Sequence, residues 1–146
     1  MMKKEEQRII NIVNKKQKCY IYGCGMVGKL TLTWLRIQGI YPECFLVTDL
    51  PKEQVVENLE VKQLKDIETE LKEDAVVLVA TTEKFHADIK RALDTYGCLA
   101  EILFIKDDFT CDLQNYMKKP RKQLYFQIHL VEHCNLNCRG CYHFSS

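Results

Sequence analysis

Three of the eight cysteines in this 146-residue chain lie close enough together to bind one metal centre. Cys134, Cys138 and Cys141 have the spacing C-x3-C-x2-C, and in a reducing compartment three neighbouring thiolates favour a metal over disulfides. Structural zinc normally takes four protein ligands, whereas an iron–sulfur cube held by three cysteines leaves one iron open to a substrate. A zinc site completed by His133 or His143 is the alternative, and cysteines without a metal are the third interpretation.

The segment around these cysteines resembles the cluster loop of radical S-adenosylmethionine enzymes. The resemblance starts at Tyr125, and the cluster loop itself is residues 132–145, E-H-C-N-L-N-C-R-G-C-Y-H-F-S. The resemblance implies that the three cysteines bind three irons of a 4Fe-4S cluster, and that S-adenosylmethionine chelates the fourth through its amino and carboxylate groups. An electron donor would then reduce the cluster, and cleavage of the sulfonium would give a 5′-deoxyadenosyl radical. Gly140 departs from the family pattern, which usually has an aromatic residue there beside the adenine, so that contact would pass to Tyr142 or be absent.

Residues 124–146 account for only the first strand and the cluster loop of a radical S-adenosylmethionine barrel. An apolar run over residues 124–131 predicts that strand, whereas the family houses its reaction in a complete barrel. We therefore expect the N-terminal portion of a radical S-adenosylmethionine enzyme, truncated after the cluster motif. This chain alone is not expected to catalyse the radical reaction, and no catalytic residue is assigned.

A second motif occurs early in the chain, where Gly23, Gly25 and Gly28 fit the pattern G-x-G-x-x-G. It follows an apolar run and precedes a helical pattern, which is the context of a phosphate-binding turn. In such a turn the first glycine permits the tight bend and the second lets a phosphate approach the backbone, while the third lets the helix pack on the strand. The same glycines are also compatible with a turn that binds nothing.

Two polar residues follow other predicted strands and are candidates for the same site. Asp49 ends the second strand, where a carboxylate accepts hydrogen bonds from ribose hydroxyls. Thr81 follows a buried run at residues 75–80, at the edge where parallel sheets bind ligands. With the glycine turn they predict a small nucleotide-type ligand, with NAD(P) as the specific candidate. Asp49 as a simple turn residue, and Thr81 with Thr82 as helix caps, are the alternatives. His86 on the following helix is expected to be a surface residue.

Strand and helix patterns alternate between these motifs. Apolar runs predict strands at residues 19–22, 44–47, 75–80 and 102–105, with a very short one at 59–61. Spacings of three and four predict three helices, with buried faces made by Val27, Leu30, Trp34 and Ile37, by Val61, Leu64, Ile67 and Leu71, and by Phe85, Ile89, Leu93 and Tyr96. The alternation predicts an α/β fold with a doubly wound, mostly parallel sheet of four or five strands. The same stretch resembles the Rossmann-like domains appended to bacterial polysaccharide and nucleotide-sugar enzymes, and this resemblance implies a nucleotide-sugar as the alternative ligand to NAD(P).

The predicted organisation has four parts. Residues 1–17 form a leading amphipathic helix, and residues 18–105 form the Rossmann-like domain. Residues 106–123 are polar and predict an irregular linker, after which residues 124–146 begin the radical S-adenosylmethionine domain. The remaining cysteines are interpreted as structural residues: Cys19, Cys24, Cys44, Cys98 and Cys111.

Composition restricts the partners and the location. The 21 basic and 20 acidic side chains nearly balance at a net charge of +1, which gives no electrostatic basis for a nucleic-acid partner. No apolar run approaches the ~18 residues of a membrane span, and charged residues stand where a secretory signal needs apolar ones. We therefore expect a cytoplasmic protein without a membrane partner. Two other hypotheses remain: a non-catalytic NAD(P)- or nucleotide-sugar-binding module, and a protein-interaction scaffold with an empty cleft.

Overall fold

The structure, a computed structural model, describes residues 2–118, with side chains from residue 4 onward. The predicted strand at residues 124–131 and the cysteines of the C-x3-C-x2-C motif lie outside the described residues. The strands are β1 (Lys18–Tyr22), β2 (Phe45–Val47), β3 (Val55–Val56), β4 (Leu59–Gln63), β5 (Ala75–Val79) and β6 (Glu101–Phe104). The helices are α1 (Met2–Asn14), α2 (Met26–Ile37), α3 (Leu64–Ile67), α4 (His86–Thr95) and α5 (Asp107–Lys118).

The strands of residues 2–118 form one mostly parallel sheet in the order β3-β4-β2-β1-β5-β6. At the centre, β1 pairs in parallel with β2 and with β5, so that Ile21 lies between Phe45 and Leu78. The chain places β2 and β4 on one side of β1, then crosses to place β5 and β6 on the other. This reversal beside β1 is the topological switch point of doubly wound sheets. The α/β class and the mostly parallel sheet are confirmed, and the arrangement is compatible with a Rossmann-like fold.

The prediction of four or five strands is wrong for the described residues, which contain six. The extra strand β3 pairs antiparallel with β4, with Val55 opposite Glu60 and Val56 opposite Leu59. The turn between them is made by Glu57 and Asn58, both with positive φ (51° and 63°). Tight hairpin turns usually reveal themselves through a glycine at such positions. This turn has none, and a two-residue strand has no readable period.

Helices cover both faces of the sheet. On one face α3 and α4 pack on alternate residues of the strands, and the buried cluster there includes Tyr20, Tyr22, Leu46, Leu64, Ile67, Val77, Val79, Ile89 and Leu93. On the other face α1, α2 and α5 meet at Trp34. Its indole N–H donates to Glu6 Oε1 at 3.2 Å, and its ring meets the Phe109 ring edge-on at a centroid distance of 5.2 Å. The leading amphipathic helix is confirmed, with Ile9 and Val13 buried.

The buried face of α2 differs from the predicted one. Of the four residues expected there, only Trp34 is fully buried, and Ile37 is 44% exposed. The helix instead buries Gly28, Thr31, Leu32, Trp34 and Leu35. Relative to the predicted orientation, α2 is rotated about its axis because Gly28 must face the preceding turn. Apolar spacing alone therefore predicts the wrong buried face. Gly39 after α2 and Gly97 after α4 have φ of +78° and +67°, the left-handed conformation with which helices commonly end.

Two further helix predictions need correction. The predicted helix from Val61 to Leu71 is reduced to α3 and a 3-10 turn at Glu68–Glu70, because Val61 belongs to β4. Residues 107–118 form α5 and are not irregular chain. Phe109 and Leu113 are buried one turn apart, and acidic residues favour the start of a helix by complementing its dipole. Helix α5 is part of the same compact unit as the sheet through Asn115. None of the helices within residues 2–118 combines the length and apolar character needed to cross a bilayer.

The turn that precedes α4 is capped differently from the prediction. Thr82 occupies the N-cap position of a 3-10 turn at Glu83–Phe85 but makes no side-chain cap hydrogen bond. The Glu83 amide instead donates to Asp107 Oδ1 at 3.1 Å. The cap therefore comes from α5, which follows β6, and sequence proximity does not reveal it.

Replacing Asp107 with alanine should lower the free energy of unfolding by about 1 kcal/mol, as removal of a side-chain helix cap typically does. Urea denaturation of the wild type and the variant measures the difference. Asp108→Ala is the matched control, since its carboxylate is the next along the same helix turn. Equal destabilisation by the two substitutions would contradict a specific cap and indicate a general effect of charge near the helix start.

Candidate functional site

The candidate site begins at the turn between β1 and α2, in the middle of the carboxyl edge of the sheet. The backbone ladder extends past the strand on both sides of this turn. The Gly23 amide donates to the Leu46 carbonyl at 2.9 Å, and the Ala80 amide donates to the Tyr22 carbonyl at 2.9 Å. The turn is therefore fixed to the ends of β2 and β5 before it enters the helix.

Gly23 and Gly28 are required by close packing. Gly23 has φ of +104°, and a Cβ there would lie 2.8 Å from the Ala80 carbonyl oxygen and 2.9 Å from Thr81 Cγ2. A Cβ on Gly28 would lie 1.9 Å from the Gly23 carbonyl oxygen. That distance is far inside van der Waals contact, so the start of α2 can approach the turn only through a glycine. These two positions do what the motif assigns to its first and third glycines.

Gly25 differs from the other two glycines of the motif. A Cβ built on it meets nothing within 4 Å, and its φ of −78° is accessible to any residue. It is the N-cap of α2 and, lacking a side chain, makes no cap hydrogen bond to the helix. The first amides of a helix have no acceptor within the helix. Open space therefore lies next to backbone donors at the position where the motif leaves room for a phosphate.

Asp49 lies in the segment that follows β2, and its side chain is exposed. The residue before it, Thr48, is fixed by two neighbours. The Tyr22 hydroxyl hydrogen bonds to Thr48 Oγ1, and Gln63 Nε2 donates to the Thr48 carbonyl at 3.3 Å. The sequence pattern indicates Asp49 but not Tyr22 or Gln63, because a tyrosine in an apolar run and a glutamine at a strand end carry no separate signal.

Thr81 follows β5 and is half-buried beside the glycine turn. Its carbonyl oxygen lies 3.1 Å from His86 Nε2. A carbonyl only accepts, so Nε2 carries the proton in this contact. The His86 ring also packs against Phe104 at the end of β6, with ring centroids 4.9 Å apart. His86 is half-buried, and it links the ends of β5 and β6 at the edge that carries the glycine turn.

The cysteines of the described region divide by burial. Cys19 and Cys44 are buried core residues, as predicted. Burial raises the pKa of the Cys19 thiol to about 12 and that of Cys44 to about 11, which keeps both protonated at neutral pH. Cys24 and Cys98 are half-buried, and Cys111 is exposed on α5 rather than structural. Residues 4–118 contain no group of three or more His, Cys, Asp or Glu side chains placed to hold a metal ion.

The glycine turn at the end of β1 thus lies beside Thr81, which in turn contacts His86. Asp49 follows the adjacent strand β2. Cys134, Cys138 and Cys141 lie outside the described residues. No protein-family model matches the chain, and a search of curated proteins finds no match either.

Proposed function

We propose that this chain carries two cofactor-type binding segments. The α/β unit binds a nucleotide-type ligand at the β1–α2 turn, and the segment with Cys134, Cys138 and Cys141 binds the 4Fe-4S cluster of a radical S-adenosylmethionine enzyme.

The nucleotide site is carried by the contrast among the three glycines of the turn. Packing accounts for Gly23 and Gly28, whose Cβ atoms would collide with backbone. Packing does not account for Gly25, where a Cβ meets nothing within 4 Å. Glycine is one of several residues favoured at a helix N-cap, so a turn that served only to connect β1 and α2 would also accept a side chain at that position. A phosphate approaching the first amides of α2 would need glycine there, since any side chain would occupy the same space.

The surroundings of the turn support a ligand larger than phosphate. The turn follows β1, where the strand order reverses, and open α/β sheets bind ligands in the crevice at that point. Asp49 follows β2 and offers an exposed carboxylate for ribose hydroxyls, while Thr81 follows β5 on the other side. NAD(P) and nucleotide-sugars both combine a pyrophosphate with a ribose, so both fit this set of groups. Calorimetry with NAD, NADP and UDP-glucose separates them.

Gly25→Val should abolish detectable nucleotide binding, or weaken it at least about tenfold, while the fold is retained. The valine side chain would fill the space in front of the α2 amides, and tenfold corresponds to about 1.4 kcal/mol. The backbone at Gly25 is extended, so a β-branched residue is tolerated there. Isothermal titration calorimetry measures the affinity, and circular dichroism checks the melting temperature.

Thr33→Val is the matched control, because it introduces the same side chain on an exposed position of the same helix. It should leave the affinity unchanged. Equal binding by the wild type and Gly25→Val would reject the phosphate site at this turn. A wild-type chain that binds none of the three nucleotides would favour the alternative of a protein-interaction scaffold.

The cluster segment is supported by its sequence motif. Cys134, Cys138 and Cys141 repeat the spacing of the radical S-adenosylmethionine family, and three thiolates leave one iron of the cube for another ligand. When bound and reduced, such a cluster supplies the electron that cleaves S-adenosylmethionine; the protein supplies ligands and a site that excludes water. Anaerobic reconstitution with iron and sulfide is the direct test of the assignment.

A further inference from the structure

Two polar side chains from neighbouring strands hold Thr48, the first residue after β2. The Tyr22 hydroxyl hydrogen bonds to its Oγ1, and Gln63 Nε2 donates to its carbonyl oxygen at 3.3 Å. Tyr22 is the last residue of β1 and Gln63 is the last residue of β4. Because β2 lies between these two strands, the contacts reach Thr48 from opposite sides.

These contacts matter because the chain beyond Thr48 has little support of its own. Residues 48–54 connect β2 to β3 without forming a helix or a strand. The connections from β1 to β2 and from β5 to β6, by contrast, each contain a helix packed on the sheet. Asp49 and Leu50 are both exposed. The direction in which Asp49 leaves the sheet therefore depends on how Thr48 is held.

The Tyr22 hydroxyl has no role in the apolar core. The Tyr22 ring is buried, with 6% of the residue exposed, in the cluster that also contains Leu46 and Val79. A phenylalanine would fill the same volume without requiring a hydrogen-bond partner for a mostly buried hydroxyl, which is costly when left unpaired. The hydroxyl reaches out of the core to Thr48, 26 residues away in sequence. The hydroxyl therefore acts at the edge of the sheet, on Thr48.

We infer that Tyr22 is a positioning residue for ribose recognition: through Thr48 it fixes the segment that carries Asp49 beside the glycine turn. The inference rests on the proposed nucleotide site. Tyr22 does not touch the ligand, yet the preference for nucleotides with ribose hydroxyls depends on it. Phosphate binding at Gly25 does not depend on Tyr22. Tyr22 therefore affects the affinity for nucleotides that carry ribose hydroxyls.

Tyr22→Phe in the full chain tests this separation. ADP and UDP are each titrated beside their 2′,3′-dideoxy forms and beside inorganic pyrophosphate. Loss of one neutral hydrogen bond corresponds to a roughly fivefold change in affinity, so the variant should bind ADP or UDP about fivefold more weakly. Pyrophosphate and the dideoxy nucleotides should bind as they do to the wild type. Thr48→Val should reproduce this pattern, and the double variant should be no weaker than either single one.

Tyr20→Phe is the matched control. Tyr20 is on the same face of the same strand, but its hydroxyl donates to Glu70 Oε2 at 3.4 Å and not to the segment after β2. This variant should leave every affinity unchanged. Equal weakening of pyrophosphate, dideoxy and ribose ligands by Tyr22→Phe would overturn the inference and indicate a general structural role, and so would no change for any of them. If the wild type binds pyrophosphate but binds the ribose and dideoxy nucleotides equally well, the role of Tyr22 is overturned and the phosphate site stands. If the wild type binds none of these ligands, the nucleotide site is overturned as well.

Discussion

Replacing Gly28 with alanine should destabilise the α/β unit by about 3 kcal/mol or more, a large fraction of the ~5–15 kcal/mol that stabilises a typical domain. The added Cβ would lie 1.9 Å from the Gly23 carbonyl oxygen. The obstacle is backbone in a turn that is bonded to both neighbouring strands, so it cannot move aside as a flexible side chain would. The start of α2 would have to lift from the sheet, where Leu32 and Leu35 are fully buried. Urea denaturation measures the loss in free energy of unfolding.

Gly25→Ala is the matched control for this substitution. It adds the same methyl group three residues earlier in the same motif, at a position where a Cβ meets nothing within 4 Å. Its cost should be at most about 1 kcal/mol, the difference between glycine and alanine at a helix N-cap. If Gly28→Ala were no more destabilising than Gly25→Ala, the result would contradict the close packing of α2 against the turn. The nucleotide site would then lose the contrast on which it depends.

The centre of the parallel sheet can be predicted from sequence because β1 and β5 are buried on both faces. Ala75–Val79 is apolar at every position for that reason, and the glycine turn after β1 marks the first crossover. The hairpin of β3 and β4 cannot be predicted in the same way, because Glu57 and Asn58 adopt positive φ without a glycine to signal it. Helix α5 is missed because its buried face consists of few residues: Phe109, Thr110 and Leu113.

The candidate site likewise contains residues that the sequence predicts and contacts that it does not. Gly23, Gly25 and Gly28 are found from spacing alone, since a local turn requires local residues. The Tyr22–Thr48 contact and the cap from Asp107 to the Glu83 amide join residues 26 and 24 positions apart. They depend on which strands are neighbours, and β1 lies next to β2 while β5 lies next to β6. Interactions of this kind follow from topology and have no signature in a single sequence.

Removal of the three motif cysteines should abolish iron–sulfur cluster assembly. After anaerobic reconstitution we expect the wild-type chain to hold about four irons and to show the broad visible absorption of a cube bound by thiolates. The triple variant Cys134→Ala, Cys138→Ala, Cys141→Ala should retain only background iron, since the cube would lose all its protein ligands. Iron and sulfide analysis with visible spectroscopy gives the measurement. Electron paramagnetic resonance of the reduced wild-type chain should change on addition of S-adenosylmethionine, because the fourth iron is open to it.

The described region supplies a control with the same number of cysteines removed. Cys24, Cys98 and Cys111 are half-buried or exposed, so Cys24→Ala, Cys98→Ala, Cys111→Ala removes accessible thiols that do not belong to the motif and should leave iron incorporation unchanged. Iron loss in this control would mean that reconstitution reports adventitious binding to thiols. The chain could instead bind stoichiometric zinc, with a zinc content that falls in His133→Ala or His143→Ala. That result would reject the radical S-adenosylmethionine assignment, because zinc takes a fourth protein ligand whereas the cluster leaves one iron open. The number of protein ligands therefore separates the two metals.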